Sequence, residues 1–388
     1  MKWEYVALGD LYEVHNGLSK GGRFFGDGFP FLSFSTVFNK WFLPQELPDL
    51  VQSTDKEQQS YSIRRGDVFV TRTSETMDEL GMSSVALKDY HHATYNGFTK
   101  RLRPINSERI LPEFIGYYLR TPFFRAGFAA FSTMTTRASL RNEDLLSMKV
   151  PVPDIPTQKR IANILSAYDN LIENDQKQIK LLEEAAQRLY KEWFVDLRFP
   201  GHENTKITDG VPEGWRRGAL ADVATFKRGK TITKEQTNPG VVPVVAGGLE
   251  PAYFHDTFNT GAPVITVSGS GANAGFTRMY HTKVWASDCS YVDSVATENL
   301  AWVYCFLKEN NTKIETMQKG AAQPHVYAKD INALEAVIPN NKQMKRFQAI
   351  TEPMFARIGT LETQKARLRE ACNCLLPKLM NGEIEVEK

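Results

Sequence analysis

The sequence predicts an α+β fold: two mixed α/β domains, each followed by a long helix, with the helices paired as an antiparallel coiled coil under pseudo-twofold symmetry. Three observations predict it. The chain repeats itself. The globular part of each repeat shows short β-type runs between turn residues. Each repeat then closes with more than four heptads of apolar spacing.

The repeat is visible as short matches. Trp3, Leu8, Asp10 and Leu11 recur as Trp215, Leu220, Asp222 and Val223, 212 residues later. Asp144-Leu145, Val152-Pro153 and Lys159-Arg160-Ile161 recur as Asp330-Ile331, Ile338-Pro339 and Lys345-Arg346-Phe347, only 186 residues later. The second globular part is therefore shorter by the difference, 26 residues. The expected boundaries are 1–153 for the first domain, 154–198 for its helix, 199–211 for a Gly-, Pro- and Asp-bearing linker, 212–339 for the second domain and 340–388 for its helix.

In the globular parts, Phe29–Ser33, Asp67–Thr71, Val241–Val245 and Pro263–Val267 are β-branched or aromatic runs bounded by turn residues, as strands require. Helical stretches such as Glu113–Leu119 and Leu300–Lys308 lie between them.

The long helices carry a 4-3 apolar spacing. The first places Ile161, Leu165, Tyr168, Ile172, Asp175, Ile179, Leu182, Ala186, Leu189 and Trp193 on one seam. The second places Phe347, Thr351, Met354, Ile358, Leu361, Lys365, Leu368, Cys372, Leu375 and Leu379 there. Sustained heptads with charged flanks predict a coiled coil. Parallel pairing would leave Asp175 and Lys365 each against an apolar residue, at a cost in desolvation. Antiparallel pairing sets Asp175 opposite Lys365 and Trp193 opposite Phe347. The expectation is therefore an antiparallel pair whose register an Asp175–Lys365 contact pins. Pro353 should kink the second helix or mark its true start. Each domain precedes its helix, so such a pair sets the two domains at opposite ends of a rod of roughly 50 Å at 1.5 Å per residue. Two similar heads at a fixed span suit two half-sites on a DNA duplex, whose turn is about 34 Å.

Composition narrows the classes. With 42% hydrophobic and 24% charged residues the chain reads as a soluble globular protein. No apolar run approaches the roughly 20 residues of a membrane span, and MKWEYVALGDLYEVHNG has no signal-peptide core. Cys289, Cys305, Cys372 and Cys374 fit neither a disulfide framework nor a four-ligand zinc site. A cytoplasmic location is expected. A net charge of +2 excludes a protein that is basic all over, but not a local nucleic-acid site.

At this point the sequence resembles a known family. The run VPVPDIPTQKRIANILSAYDNLIE (Val150–Glu173) is similar to the central region of type I restriction–modification specificity (S) subunits. So are Leu189–Gly201, Val211–Trp215 and Leu375–Ile384. The resemblance covers nearly the whole chain; it is strongest at 150–223 and 375–384 and looser in the heads. It implies a non-catalytic subunit that binds double-stranded DNA. Its two heads are target-recognition domains that each read half of a bipartite site, and its coiled coil sets the spacer. It further implies two modification (M) subunits carrying S-adenosylmethionine, restriction (R) subunits in some complexes, and no cofactor on this chain.

Three literal matches point to catalysis and are weak. Phe24-Phe-Gly26-Asp-Gly28 fits the methyltransferase loop F-x-G-x-G but lacks the flanking strand and helix, and no Asn/Asp-Pro-Pro-Tyr/Phe follows to hold a flipped base. Gly229-Lys230-Thr231 resembles the end of a P-loop whose first glycine position is Ala224. Asp154 with Asp175 and Lys177 matches a loose nuclease pattern, yet Asp175 lies on the seam, not in a cleft. The histidines are scattered, and His91-His92 reads as a surface pair; no metal site is expected.

Each head balances its basic and acidic residues almost one for one. A DNA face must therefore come from sorting charge onto one side, because phosphate contacts need Lys or Arg. The candidate DNA-binding residues lie in loops after strand-like runs and before the long helices. In the first head they are Arg23, Arg72, Thr73, Ser74, Arg137 and Arg141. In the second they are Lys227, Arg228, Lys230, Ser268, Ser270, Asn273, Gln323 and His325. The loops after Val70 and after Val267 read as equivalents, and Lys20–Arg23 and Lys227–Lys230 as near-equivalents, the latter pair suited to phosphate. A plain hairpin turn is the competing reading of the polar loops. Phe194 and Phe199 are candidates for the M-subunit interface, with core packing as the alternative. Two rival functions remain at this level: an adaptor that joins proteins without touching DNA, and a self-sufficient DNA methyltransferase or nuclease.

Overall fold

The computed structural model describes residues 3–74, 79–130, 138–318 and 324–386. The chain forms two compact units, residues 1–172 with 367–388, and residues 173–366. The division falls inside the long helices, not at their ends.

The first unit has strands β1 (Glu4–Ala7), β2 (Tyr12–Asn16), β3 (Phe25–Leu32), β4 (Asp49–Val51), β5 (Val68–Thr71), β6 (Thr73–Ser74), β7 (Ser83–Val85), β8 (Thr94–Tyr95), β9 (Thr99–Pro104), β10 (Ala138–Ser139) and β11 (Lys149–Val152). β1 pairs antiparallel with β11, setting Val6 against Val150 and tying the start of the domain to the approach of its long helix. An antiparallel sheet runs β2-β9-β5-β7. Its strand β5 is buried on both faces, which explains its unbroken apolar run. A second sheet runs β4-β3-β8, with β3 and β8 parallel. The F-x-G-x-G motif lies in β3 except for Phe24, which ends the turn before it, and the register with β4 shifts between Phe25 and Phe29. Gly26 and Gly28 hold φ of 100° and 105° there, so the glycines serve a bulge.

The second unit has β12 (Ile207–Thr208), β13 (Val211–Pro212), β14 (Arg216–Ala219), β15 (Lys227–Arg228), β16 (Val242–Val245), β17 (Tyr253–His255), β18 (Val264–Ser268), β19 (Thr277–Tyr280), β20 (Trp285–Ala286), β21 (Cys289–Asp293) and β22 (Glu335–Ile338). β14 pairs with β22 as β1 does with β11. The sheets run β15-β21-β18-β19 and β17-β16-β20, with β16 and β20 parallel. The topology is the same in both units. The first unit inserts the short helices Phe34–Asn39 and Asp55–Ser60 after β3 and β4. The second has shorter connections without them, which accounts for much of the length difference. The segment 199–211 is packed: Phe199 is buried and β12 and β13 form a small hairpin.

The long helices span Ile155–Tyr190 and Asn341–Met380. Equivalent side chains cap them. Asp154 Oδ1 accepts from the Thr157 amide at 2.7 Å, and Asn340 Oδ1 from the Gln343 amide at 3.0 Å, so each satisfies an orphan donor of the first turn. Asp154, half of the loose nuclease pattern, is thus a helix cap. The second helix is already formed for three turns before Pro353 and continues through it, so Pro353 does not mark its start.

In the first unit, Ile161 and Leu165 share a core with Leu376, Leu379 and Met380. In the second, Ala186 and Trp193 share one with Phe347, Phe355 and Ile358. The Trp193 and Phe347 rings meet at 6.0 Å, and Arg357 donates to Gln178 at 3.4 Å. Numbers fall along one helix as they rise along the other: the pairing is antiparallel. A tyrosine in each domain also bonds a helix carboxylate. Tyr117 donates to Asp169 at 2.6 Å in the first unit, and Tyr304 to Glu183 at 3.0 Å in the second.

The Asp175–Lys365 contact does not form. Asp175 is 2% exposed and its Oδ2 has no hydrogen-bond partner. Lys365 is half-buried and lies near Glu362, one turn earlier on its own helix; burial raises that carboxyl's pKa, with the Arg278 charge and then the Lys365 charge opposing the rise. The heptad places both residues at one level, but the lysine's long stem lets its ammonium stay near water.

Candidate nucleic-acid interface

The backbone brings together loops that were chosen separately. In the first unit Thr73 and Ser74 pair with Ser139 and Ala138 as a short ladder, β6 with β10. The Arg72 amide donates to the Phe98 carbonyl at 3.1 Å, and Leu140 donates to Arg72 at 2.9 Å. The second unit repeats this. Ser270 bridges His325, Gly269 donates to Asp288 at 3.1 Å, and Val326 donates to Gly269 at 3.1 Å. The loop after β5 or β18, the turn before β9 or β21, and the segment before the long helix therefore meet at one place in each unit. Gly81 and Gly275 close the two loops at φ of 72° and 90°, a conformation glycine adopts freely.

This pattern equates Arg72 with Gly269, Phe98 with Asp288 and Lys100 with Ser290. It also sets Asn16, which faces Lys100, against Arg228, which faces Ser290. Lys227, Arg228 and Lys230 thus match His15, Asn16 and Leu18, and not Lys20–Arg23. Gly17 and Gly229 pass so close to the neighbouring backbone that a Cβ would lie 2.1 Å from the Asn96 carbonyl oxygen and 2.3 Å from that of Ser287.

In the first unit the Arg72 guanidinium lies over the exposed Phe98 ring at 5.9 Å. Its Nε is buried with no partner among the described residues. Lys100 is buried beside it and donates to Asn142; burial, then the Arg72 charge, lowers its pKa. Arg141 is exposed but forms a 2.7 Å ion pair with Asp144, whose hydrogen bond raises the guanidinium pKa. Arg23 is exposed and lies over Phe24 at 4.8 Å. Its neighbour Lys20 is bound to Glu57 at 2.8 Å and holds that carboxyl low.

In the second unit Lys227, Arg228 and Lys230 are exposed, the first two on the edge strand β15. The Gly229 and Lys230 amides donate to Cys289 and Ala286, so these two amides of the P-loop-like run are not free to cradle phosphate. The Ser270 hydroxyl donates to Asp288. The His325 ring stacks on Tyr327 at 5.9 Å, and Asn273 is half-buried. Two expectations are corrected. Ser268 is buried and its hydroxyl donates to the Gly247 carbonyl at 3.0 Å, so it serves the loop's own structure. Phe194 and Phe199 are buried in the second unit's core: Phe194 packs on Phe347 at 5.1 Å, and Phe199 on Trp215 at 4.7 Å. Their aromatic partners leave no surface for another subunit. Arg137 and Gln323 lie outside the described residues.

Sequence reasoning missed Phe98, Lys100 and Asp288. The turns Asn96–Phe98 before β9 and Ala286–Asp288 before β21 occupy matching places, and their turn residues Asn96, Gly97, Ser287 and Asp288 were the available signal. Among the described residues no helix is long and apolar enough to cross a membrane, and no His/Cys/Asp/Glu group is arranged to hold a metal ion.

Comparison with known proteins agrees with this geometry. Residues 1–184 and 212–369 each match the type I restriction modification DNA specificity domain, one match per repeat. The chain is 23% identical to the type I restriction enzyme MjaIX specificity subunit of Methanocaldococcus jannaschii, covering 100% of this chain and 94% of that protein. It is 21% identical to the HindI specificity subunit of Haemophilus influenzae, covering 98% and 99%. The crystal structure of an S subunit from M. genitalium shares the fold, with a TM-score of 0.62 at 16% identity over 100% of this chain and 97% of that one. The family's domain matches both repeats and most of the chain: the protein belongs to the type I restriction modification DNA specificity family, as a DNA-recognition and not a catalytic component.

Proposed function

We propose that this chain reads a bipartite, asymmetric DNA site, one half with each unit, and positions methyltransferase and restriction subunits on it. The observation that carries the reading is the repeated meeting of three loops in domains of identical topology, with different side chains at matching positions. One scaffold presenting two side-chain sets suits two different half-sites. The paired long helices would fix the spacer between the halves. Two M subunits would bring S-adenosylmethionine, and this chain would bind no cofactor. With near-neutral heads, those partners would supply much of the basic surface for tight DNA binding. The complex would work in the cytoplasm.

The test is a genome-wide methylation map with and without this gene. A two-part adenine-methylated motif that disappears on deletion is the expected result; an unchanged map in an active strain overturns the reading. Lengthening both helices by matching heptads should lengthen the spacer and leave both half-sites unchanged.

A further inference from the structure

We propose that Asp288 is a base-reading acceptor of the second unit, taking a hydrogen bond from an exocyclic amino group of cytosine or adenine. The first unit presents the opposite polarity at the matching place, through Arg72. This rests on the reading that each unit binds one half-site.

Asp288 sits where the three loops of its unit meet. It lines a small cavity with Arg228, Gly269, Ser290, His325 and Tyr327. Its side chain is 36% exposed. Ser270 donates to Oδ2, and Arg228 Nη2 stands 4.0 Å from Oδ1. The carboxylate is thus oriented by a hydroxyl and keeps acceptor capacity, because each of its oxygens has two lone pairs.

A carboxylate on a DNA-binding face is unfavourable against phosphate, which has the same charge and offers no donor. Base edges do offer donors. In the major groove these are the N4 amino group of cytosine and the N6 amino group of adenine, and Asp is suited to the former. Exposed Arg228, which lines the same cavity as the carboxylate, carries the charge that phosphates require.

The first unit lacks the carboxylate. Phe98 takes the place of Asp288, and Arg72 that of Gly269, its guanidinium over the Phe98 ring. A guanidinium only donates, so it matches guanine N7 and O6. Identical backbones would thus discriminate bases by opposite hydrogen-bond polarity.

The full chain, co-expressed with its methyltransferase subunits, provides the test, with variants Asp288→Ala and Asp288→Asn. Methylation mapping of the wild type defines the site. Binding is then measured on duplexes substituted at each position of both halves. In D288A, discrimination at one base pair of one half should fall roughly tenfold or more, with the other half and the spacer unchanged. D288N keeps the size but adds a donor, and should change the base preferred at that same pair. If both variants keep the wild-type map and base ranking, the proposal fails. A uniform weakening on every duplex, or relaxation in the half that R72A relaxes, also overturns it. A wild-type map without a two-part site would remove the parent reading as well, so the two failures are distinguishable.

Discussion

Trp193 and Phe347 pack edge to face with ring centroids 6.0 Å apart, joining the last heptad position of one long helix to the first of the other. This contact sets the antiparallel register in the second unit. Phe347 is fully buried and also meets Tyr190 and Phe194. The register there is therefore held mainly by shape and apolar area.

Trp193→Ala should destabilise the second unit by about 3–5 kcal/mol, the usual loss for truncating a buried aromatic. Denaturant unfolding checks this. A change below about 1 kcal/mol would show that the ring is dispensable to the pairing.

Asp175→Leu should raise stability. The buried carboxylate has an unpaired oxygen, and an apolar side chain in the seam removes that desolvation cost. Lys365→Ala should change stability by no more than about 0.5 kcal/mol, as expected away from a specific pair. Equal large losses for both variants would restore the ion-pair reading.

Acid should weaken the second unit through His281. Burial against Phe355 pushes its pKa down to about 4 from its ordinary 6.5. The unfolded chain binds the proton first as pH falls. The contribution is therefore complete above pH 6.5 and is lost progressively toward pH 4, by up to about 3 kcal/mol. His281→Phe should flatten that part of the stability profile; an unchanged slope would assign the acid sensitivity to other groups.

Gly359→Ala should destabilise, although alanine in a helix interior normally gains about 1 kcal/mol over glycine. The added Cβ would lie 2.7 Å from the His281 Cβ. Combining it with His281→Gly should recover the helix-propensity gain, and thermal unfolding of the single and double variants tests the coupling.

Arg72→Ala should weaken DNA binding by about 1–3 kcal/mol if its guanidinium pairs with a base. The loss should be confined to sequences that match the first unit's half-site. An equal loss on every duplex, with a shallower salt dependence, would make Arg72 a phosphate contact.

The long helices were legible in the sequence because a heptad is written in neighbouring residues; the seam from Ile161 to Trp193 needs no knowledge of distant contacts. The matching loops after Val70 and Val267 were legible for a similar reason, as polar turns after apolar strands. That Thr73 meets Ser139, or Ser270 meets His325, was not, because strand pairing between distant segments leaves no local trace. The fate of Phe194 and Phe199 was decided by Trp215 and Phe347, far along the chain. Asp175 misled because heptad position gives the level of a residue on its helix, whereas ion pairing depends on where a flexible stem carries its charge. Asp288 was one acid among many until the fold placed it beside Ser270 and Arg228.

The division of the chain has a consequence for its synthesis. Residues 173–366 form a continuous unit, but the first unit is completed by Leu376, Leu379 and Met380. Leu376, Leu379 and Met380 are synthesised only after residues 173–366 are complete. The unit whose translation begins first is therefore the last to gain its full core, and until then the faces of Ile161 and Leu165 that await those residues must be shielded by other means.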